Sequence, residues 1–170
     1  SFGNDTVFLE RLLTGVRHVE VQLIADGQGT AWALGVRDCS VQRRNQKLIE
    51  ESASPVLDPD QVRLLKKSAT RLALAVDYRG AGTAEFLYQP AERTFAFLEV
   101  NTRLQVEHPV SEMVTGIDII RQQLLAAGGD PLEIDQAGVR LGGWAMECRI
   151  NARSAGRVTE FVAPGGFGVR

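Results

Sequence analysis

The sequence predicts an α+β fold, an antiparallel or mixed sheet with flanking helices. Three observations carry that prediction. Apolar and polar residues alternate with period two in His18–Ile24 and again in Leu98–Arg103, the pattern of strands. Turn signals at Asp26-Gly27-Gln28-Gly29 and Pro90-Ala91-Glu92-Arg93 sit at hairpin spacing from those runs. Two helical stretches stand apart from the strands instead of alternating strictly with them, which favours α+β over a doubly wound parallel sheet.

Taken in order, residues 6–13 read as a short helix or an entry into the first strand. His18–Ile24 is that strand, with Val19, Val21 and Leu23 on one face and His18, Glu20 and Gln22 on the other. The Asp26–Gly29 turn returns the chain into a strand from Thr30 to Val36, and residues 55–60 form a loop. Asp58 caps a helix, Pro59 suits its first turn, and Gln61 completes a capping box. Val62, Leu65, Ala69, Leu72 and Val76 form the helix's apolar stripe. Gly80-Ala81-Gly82 breaks the pattern, and Thr83–Tyr88 and Phe95–Thr102 read as an antiparallel pair around the Pro90–Arg93 turn. A helix is expected over Val110–Ala127, stopped by Gly128-Gly129-Asp130-Pro131, and a strand over Trp144–Asn151. Gly165-Gly166-Phe167-Gly168 lacks the setting and the Lys of a phosphate loop and reads as a turn.

Of the 170 residues, 44% are hydrophobic, and 19 Lys and Arg oppose 21 Asp and Glu. Ordinary apolar content and a net charge of −2 argue against disorder and against a strongly basic nucleic-acid binder. No apolar run approaches the ~18 residues that span a bilayer, so no membrane partner is expected. Cys39 and Cys148 are too few and too far apart for a disulfide scaffold or a zinc site, and read as two buried, reduced thiols of a cytosolic protein. The chain begins at Ser1 without Met and stops in mid-pattern at Arg170, as a piece of something larger would.

Two clusters carry chemistry. In Phe97–His108, Glu99, Asn101 and Arg103 alternate with Leu98, Val100 and Thr102, so the polar three share one strand face. Glu85 on the preceding strand can meet Glu99 across the hairpin. Two carboxylates and an amide are hard ligands suited to Mg²⁺ and to nucleotide phosphates, while an exposed face of Glu–Arg pairs is the alternative from spacing alone. In the second cluster Arg37, Arg43, Arg44 and Lys47 lie beside Glu50 and Glu51, either as a salt-bridged, solvated turn or as an oxyanion site. His18 and His108 are not at metal-ligand spacing, and the Pro109 that follows His108 favours an extended or turn conformation there.

With those residues in view, Glu99-Val-Asn-Thr-Arg-Leu-Gln-Val-Glu-His-Pro109 resembles the signature of the biotin carboxylases, enzymes of ATP-grasp fold. His18–Gln22, Arg37–Lys47, Tyr78–Leu87, Glu147–Asn151 and Ala163–Arg170 are similar to further blocks of that family, in the same order, so the resemblance covers nearly the whole chain. It implies an enzyme that uses ATP to activate bicarbonate as carboxyphosphate and carboxylates biotin attached to a carrier domain. It implies Glu85, Glu99 and Asn101 as ligands of Mg²⁺ or Mn²⁺, and Lys47, Arg103, Gln105 and Val106 as the bicarbonate pocket. It implies Glu107 as the base that takes the bicarbonate proton and Arg149 as the group that stabilises the biotin enolate. Glu10, Arg11, Leu13, His18, Gln42 and Leu87 are implied as nucleotide contacts.

The resemblance further implies ATP-grasp residues over 1–127 and the start of a C-terminal region over 128–170. The partners it implies are a biotin carboxyl carrier domain and a carboxyltransferase domain or subunit, in a homodimer or larger complex. An acyl-CoA carboxylase is the expected parent, with pyruvate and urea carboxylases sharing the module. This chain departs from the family's pattern at Asn45, where many members have His; Asn can still hydrogen-bond a nucleotide but carries no proton. It also departs in a shorter segment between Asn151 and Gly156, and in lacking the family's N-terminal domain, glycine-rich loop and two lysines, so the piece alone is expected to be inactive. A carbamoyl-phosphate synthetase half is the enzyme alternative, disfavoured by Arg103–Glu107 and Glu147-Cys148-Arg149. A non-catalytic scaffold is the other, disfavoured because it has no physical need for Lys47, Glu85, Glu99, Asn101, Arg103, Glu107 and Arg149 together.

Overall fold

A computed structural model describes Gly3, residues 5–152 and residues 154–170. The start at Ser1-Phe2 lies outside the described residues, as does Arg153 in the short segment after Asn151. Ten elements follow in order: β1 (Arg17–Asp26), β2 (Ala31–Arg43), β3 (Gln46–Ser52), α1 (Pro59–Ala75), β4 (Arg79–Gln89), β5 (Thr94–Asn101), α2 (His108–Thr115), α3 (Ile119–Gly128), a 3₁₀ turn (Gln136–Gly138) and β6 (Ala145–Cys148). The strands form one sheet in the order β5-β4-β1-β2-β3-β6, every neighbouring pair antiparallel. The expected α+β class is therefore observed.

Several elements form for the reasons the sequence gives. Asp26 Oδ1 accepts from the backbone N–H groups of Gln28 and Thr30 and closes the first hairpin. Asp58 and Gln61 make the reciprocal capping box of α1. α1 buries Leu65, Ala69 and Ala73 against Val19, Val21, Leu23, Val36, Ala84 and Phe86 on one face of the sheet. Val76, expected in that stripe, is 64% exposed because it is the C-cap, where the helix has already ended.

Other expectations are corrected. Residues 5–14 form neither helix nor strand, and Val7, Phe8, Leu9 and Leu12 are exposed. The single helix expected over Val110–Ala127 is two: Gly116 takes a left-handed conformation that closes α2, and Asp118 caps α3 through the Arg121 N–H. His108 is not extended; it begins α2, where Pro109 in the first turn sacrifices no intrahelical hydrogen bond. Gly80–Gly82 lies inside β4, and a Cβ at Gly82 would meet the Tyr78 hydroxyl at 2.7 Å. β6 is shorter than Trp144–Asn151, with Trp144 exposed. Cys39 is buried as expected, but Cys148 points outward from the edge strand β6 and is exposed.

The strands bury both faces, and the second face changes character along its length. Beneath α3 and residues 132–139 it is apolar, with Ile24, Leu34, Ala81 and Ile119. Two, four and six residues further along β1, the side chains on that same face are Gln22, Glu20 and His18. This buried polar half is where the site lies.

Candidate active site

Strand register assembles the site. Glu99 of β5 pairs opposite Glu85 of β4, Glu85 opposite Glu20 of β1, and Glu20 opposite Arg37 of β2. Three carboxylates thus occupy one rung across adjacent strands, an arrangement that requires cations among them. Arg37 supplies one: fully buried, it donates to Glu20 at 2.6 Å, Gln22 at 2.6 Å and Ser111 at 2.8 Å. Burial works against the Arg37 charge, but Glu20 more than restores it. Of the basic cluster Arg37–Lys47, Arg37 is therefore an internal strut, not an oxyanion site, and the exposed Arg43 and Arg44 diverge from it at the β2–β3 turn.

Lys47, on β3, reaches back over the rung. Its Nζ donates to Glu20 at 2.6 Å, to Glu85 at 2.9 Å and to Glu107 at 2.7 Å. Burial opposes the ammonium, but Glu20 and Glu107 hold its pKa well above the ordinary lysine value. Glu85 accepts on Oε1 also from Asn101 at 2.8 Å and Gln105 at 3.0 Å, and His18 Nε2 lies 2.6 Å from its Oε2. Burial alone would raise the Glu85 carboxyl, yet the bonds from His18, Lys47 and Gln105 hold it down at about 2. The Gln42 amide nitrogen, fixed by the Cys39 carbonyl, donates to His18 Nδ1, which leaves the His18 proton on Nε2 facing Glu85.

Glu107 precedes α2, 2% exposed, and bonds Lys47 through one oxygen and Arg149 Nη2 at 3.2 Å through the other. Burial raises its carboxyl, but Lys47 and then Arg37 keep it below the usual range. Arg149 enters from the edge just beyond β6, where its N–H donates to the Leu48 carbonyl at 2.8 Å, and its Nη2 also bonds Glu50 at 3.0 Å. Arg103 is exposed and, among the described residues, has no carboxylate within salt-bridge distance; its nearest side-chain contact is Asn101 Oδ1 at 3.5 Å.

These groups line a cleft of about 740 Å³. It gathers His18, Gln42, Asn45, Lys47, Glu85, Leu87, Glu99, Asn101, Arg103, Gln105, Val106, Glu107 and Arg149, all of them singled out from the sequence, and adds Gln46 and Leu98. Glu10, Arg11 and Leu13 are not brought to it; they lie on the irregular segment before β1. Asn45 and Arg44 have φ of 61° and 52° and make the two-residue turn between β2 and β3, a conformation that Asn tolerates well. Glu20 and Ser111 escape sequence reasoning as site residues, and Arg37 and Glu50 figure there only as members of a charged cluster. Glu20 has polar–apolar alternation about it and Glu50 does not, but for both only strand pairing shows which charges they meet.

The cleft's rim fits a divalent metal in chemical kind. Glu85, Glu99 and Asn101 converge as hard oxygen donors. Asn101 presents Nδ2 to Glu85 and, at 3.4 Å, to Glu99, so ligation requires its amide to turn over. At the inner end, the buried Gln105 Oε1 and Arg149 Nε have no hydrogen-bond partner among the described residues, leaving an acceptor and a donor for a bound group.

Comparison with known proteins gives the same picture. The family model for the carbamoyl-phosphate synthase L chain, ATP binding domain, matches residues 1–135. The biotin carboxylase of Pseudomonas aeruginosa is 51% identical over 177 residues, covering 100% of this chain and 39% of that protein. Biotin carboxylase 1 of Bacillus subtilis is 48% identical over 178 residues, covering 100% of this chain and 40% of that protein. The crystal structure of a biotin carboxylase–β,γ-ATP complex from Campylobacter jejuni superposes with a TM-score of 0.80 at 49% identity, over 82% of this chain and 31% of that one. The chain thus spans about two fifths of the length of these curated relatives. On the family model the chain belongs to the family of the carbamoyl-phosphate synthase L chain, ATP binding domain, and over its whole length it is similar to part of these biotin carboxylases.

Proposed function

We propose that the protein carrying this chain is an ATP-dependent biotin carboxylase, and that this chain holds the ATP-grasp half of its site over residues 1–127 and the start of a C-terminal region over 128–170. The observation that carries the reading is the cleft in which Lys47, Gln105, Glu107 and Arg149 meet and from which Glu85, bonded to Lys47 and Gln105, leads on to Asn101 and Glu99. Bicarbonate is a small planar anion. An ammonium, a guanidinium and an amide beside a carboxylate provide the charge to hold it and a base to take its proton.

In this reading His18, Gln42, Asn45 and Leu87 border the nucleotide. Arg103, free of carboxylate partners among the described residues, binds bicarbonate together with Lys47, Gln105 and the Val106 backbone. Glu107 is ionised and ready to accept a proton; an anion drawn between Lys47 and Arg149 weakens their hold on Glu107 and raises its basicity. Bicarbonate oxygen attacks the γ-phosphorus of ATP, whose bond to the bridging oxygen breaks to give carboxyphosphate and ADP. The carboxyl group then passes to the biotin ureido nitrogen as inorganic phosphate leaves and carries off the ureido N–H proton, with Arg149 stabilising the enolate oxygen. Glu85, Glu99 and Asn101 would hold Mg²⁺ or Mn²⁺, which supplies charge neutralisation at the ATP phosphates. The biotin sits on a carrier domain, and a carboxyltransferase domain or subunit selects the acceptor, an acyl-CoA in the leading case; a cytosolic homodimer or larger complex is the expected setting. No helix among the described residues is long and apolar enough to cross a membrane.

The family model's own description supports carbamoyl-phosphate synthesis as the second reading. The deciding experiment uses the full-length protein with ATP, Mg²⁺ and bicarbonate. Biotin-dependent phosphate release is expected, falling by roughly 10²–10⁴ in Glu107→Gln, as the loss of a general base predicts. Phosphate release that responds to ammonia and not to biotin overturns the reading in favour of carbamoyl-phosphate chemistry.

A further inference from the structure

We infer that Glu50 is a positioning residue for Arg149: it competes with the catalytic carboxylate Glu107 for one guanidinium nitrogen, so that the guanidinium does not close onto Glu107 and its remainder stays available to the bound biotin. The inference rests on the reading of Arg149 given above.

The geometry comes from the β3–β6 pairing. Glu50 lies opposite Glu147, and the Arg149 N–H donates to the Leu48 carbonyl, so Arg149 and Glu50 are diagonal neighbours on one face. Arg149 Nη2 is shared, 3.0 Å from Glu50 Oε1 and 3.2 Å from Glu107 Oε2, while the buried Nε is unpartnered. Among the described residues Arg149 is the cation within salt-bridge distance of Glu50, and Glu50 Oε2 has no hydrogen-bond partner. Glu50 is completely buried. A buried carboxylate with one donor is a poor device for stability, since an apolar residue of similar volume does as well or better. What it does achieve is directional. Without Glu50, Nη2 has Glu107 alone as partner, and the guanidinium closes onto it as an ion pair. Burial pushes the Glu50 carboxyl up to about 7; Arg149 opposes this, and Glu147, Glu107 and Glu20 add to it. This carboxylate is thus loosely held, and depends on Arg149 for its charge.

The test uses the full-length protein, with biotin carboxylation measured beside bicarbonate-dependent ATP cleavage in the absence of biotin. In Glu50→Gln the KM for biotin is expected to rise about 10-fold or more, the worth of one charge-assisted hydrogen bond. Biotin-independent ATP cleavage, which feels Glu50 only through the tighter hold of Arg149 on Glu107, should fall several-fold less than the biotin reaction, a split that a general loss of structure would not produce. Glu50→Asp, which keeps the charge one methylene further away, should fall between, and decides the matter alone if the Gln variant does not fold. In an Arg149→Met background, Glu50→Gln should change the KM for biotin no further. Equal effects on both activities, an unchanged KM in the Gln and Asp variants, or a full effect in the Arg149→Met background each overturn the inference. A wild-type protein that carboxylates no biotin overturns the proposed function itself, which keeps the two failures distinct.

Discussion

Glu85 lines the cleft and Glu50 lies behind it, joined to it through Arg149, and both are buried, at 3% and 0% exposure. Their chemistry is opposite. Glu85 lies on β4, one strand in from the β5 edge, and receives Lys47, Asn101, Gln105 and His18, and its carboxyl is held at about 2. Glu50 lies one strand in from the edge, receives one nitrogen of Arg149, keeps one oxygen bare, and its carboxyl rises to about 7. Burial is common to both and works in the same direction on both. The number of donors that strand pairing brings to each decides which remains ionised. Both carboxylates sit one strand in from an edge, so position in the sheet does not separate them; Lys47, Asn101, Gln105 and His18 converge on Glu85 from β3, β5, the segment before α2 and β1, whereas Arg149 is the donor that reaches Glu50.

The comparison breaks most severely at Lys47. Lys47→Met strips one donor each from the buried Glu20, Glu85 and Glu107, and unfolding in urea at pH 7 should show a loss of about 3–5 kcal/mol. Glu50, which Lys47 does not touch, should keep its titration while that of Glu85 moves up in carboxyl NMR. A loss below about 1 kcal/mol would show that the rung does not depend on the ammonium.

A pair of neutral substitutions sharpens the contrast. At pH 7, Glu85→Gln should destabilise by about 2–3 kcal/mol, whereas Glu50→Gln should be neutral or stabilising. The pH dependence has opposite sign for the two. Glu85 is lowered from 4.5 to about 2, so its stabilisation is present above 4.5 and is lost as pH falls towards 2. Glu50 is raised from 4.5 to about 7, so its folded state is favoured below 4.5 and loses ground as pH rises through 7. Stability curves of wild type and each variant from pH 2 to pH 8 should converge at the acid end for Glu85→Gln and separate between 4.5 and 7 for Glu50→Gln. Parallel curves would mean that donor count does not set these titrations.

The smallest effect is a control from the far face. Asp58→Ala removes the α1 cap and should cost about 1 kcal/mol by thermal or urea unfolding, with neither carboxyl's titration shifted. A change in the Glu85 or Glu50 titration would mean that α1 is coupled to the cleft through the apolar core.

Much of this fold and site is legible in the order of the residues. The capping box at Asp58-Pro59-Asp60-Gln61, the Asp26 hairpin and the Glu85–Glu99 juxtaposition are local patterns, and each depends on residues within one element or one turn. The hairpin of β2 and β3 is not legible, because its turn is Arg44-Asn45 without the glycine that normally marks one. The break at Gly116 is hidden inside an apolar run whose period continues on both sides. The outward face of Cys148 follows from its place on an edge strand, which sequence spacing does not reveal.

The order of residues alone specifies the α+β class, the family resemblance and nearly every residue that lines the cleft, because motif spacing and strand alternation are encoded over short distances. Three-dimensional contact was needed to show that Arg37 is a buried strut, that Lys47 binds three carboxylates, and that Arg149 is divided between Glu50 and Glu107. Those contacts join residues 17 to 99 positions apart. Their charges settle according to which neighbours the sheet register supplies and how little water remains between them, and neither quantity is written in the local order of the chain.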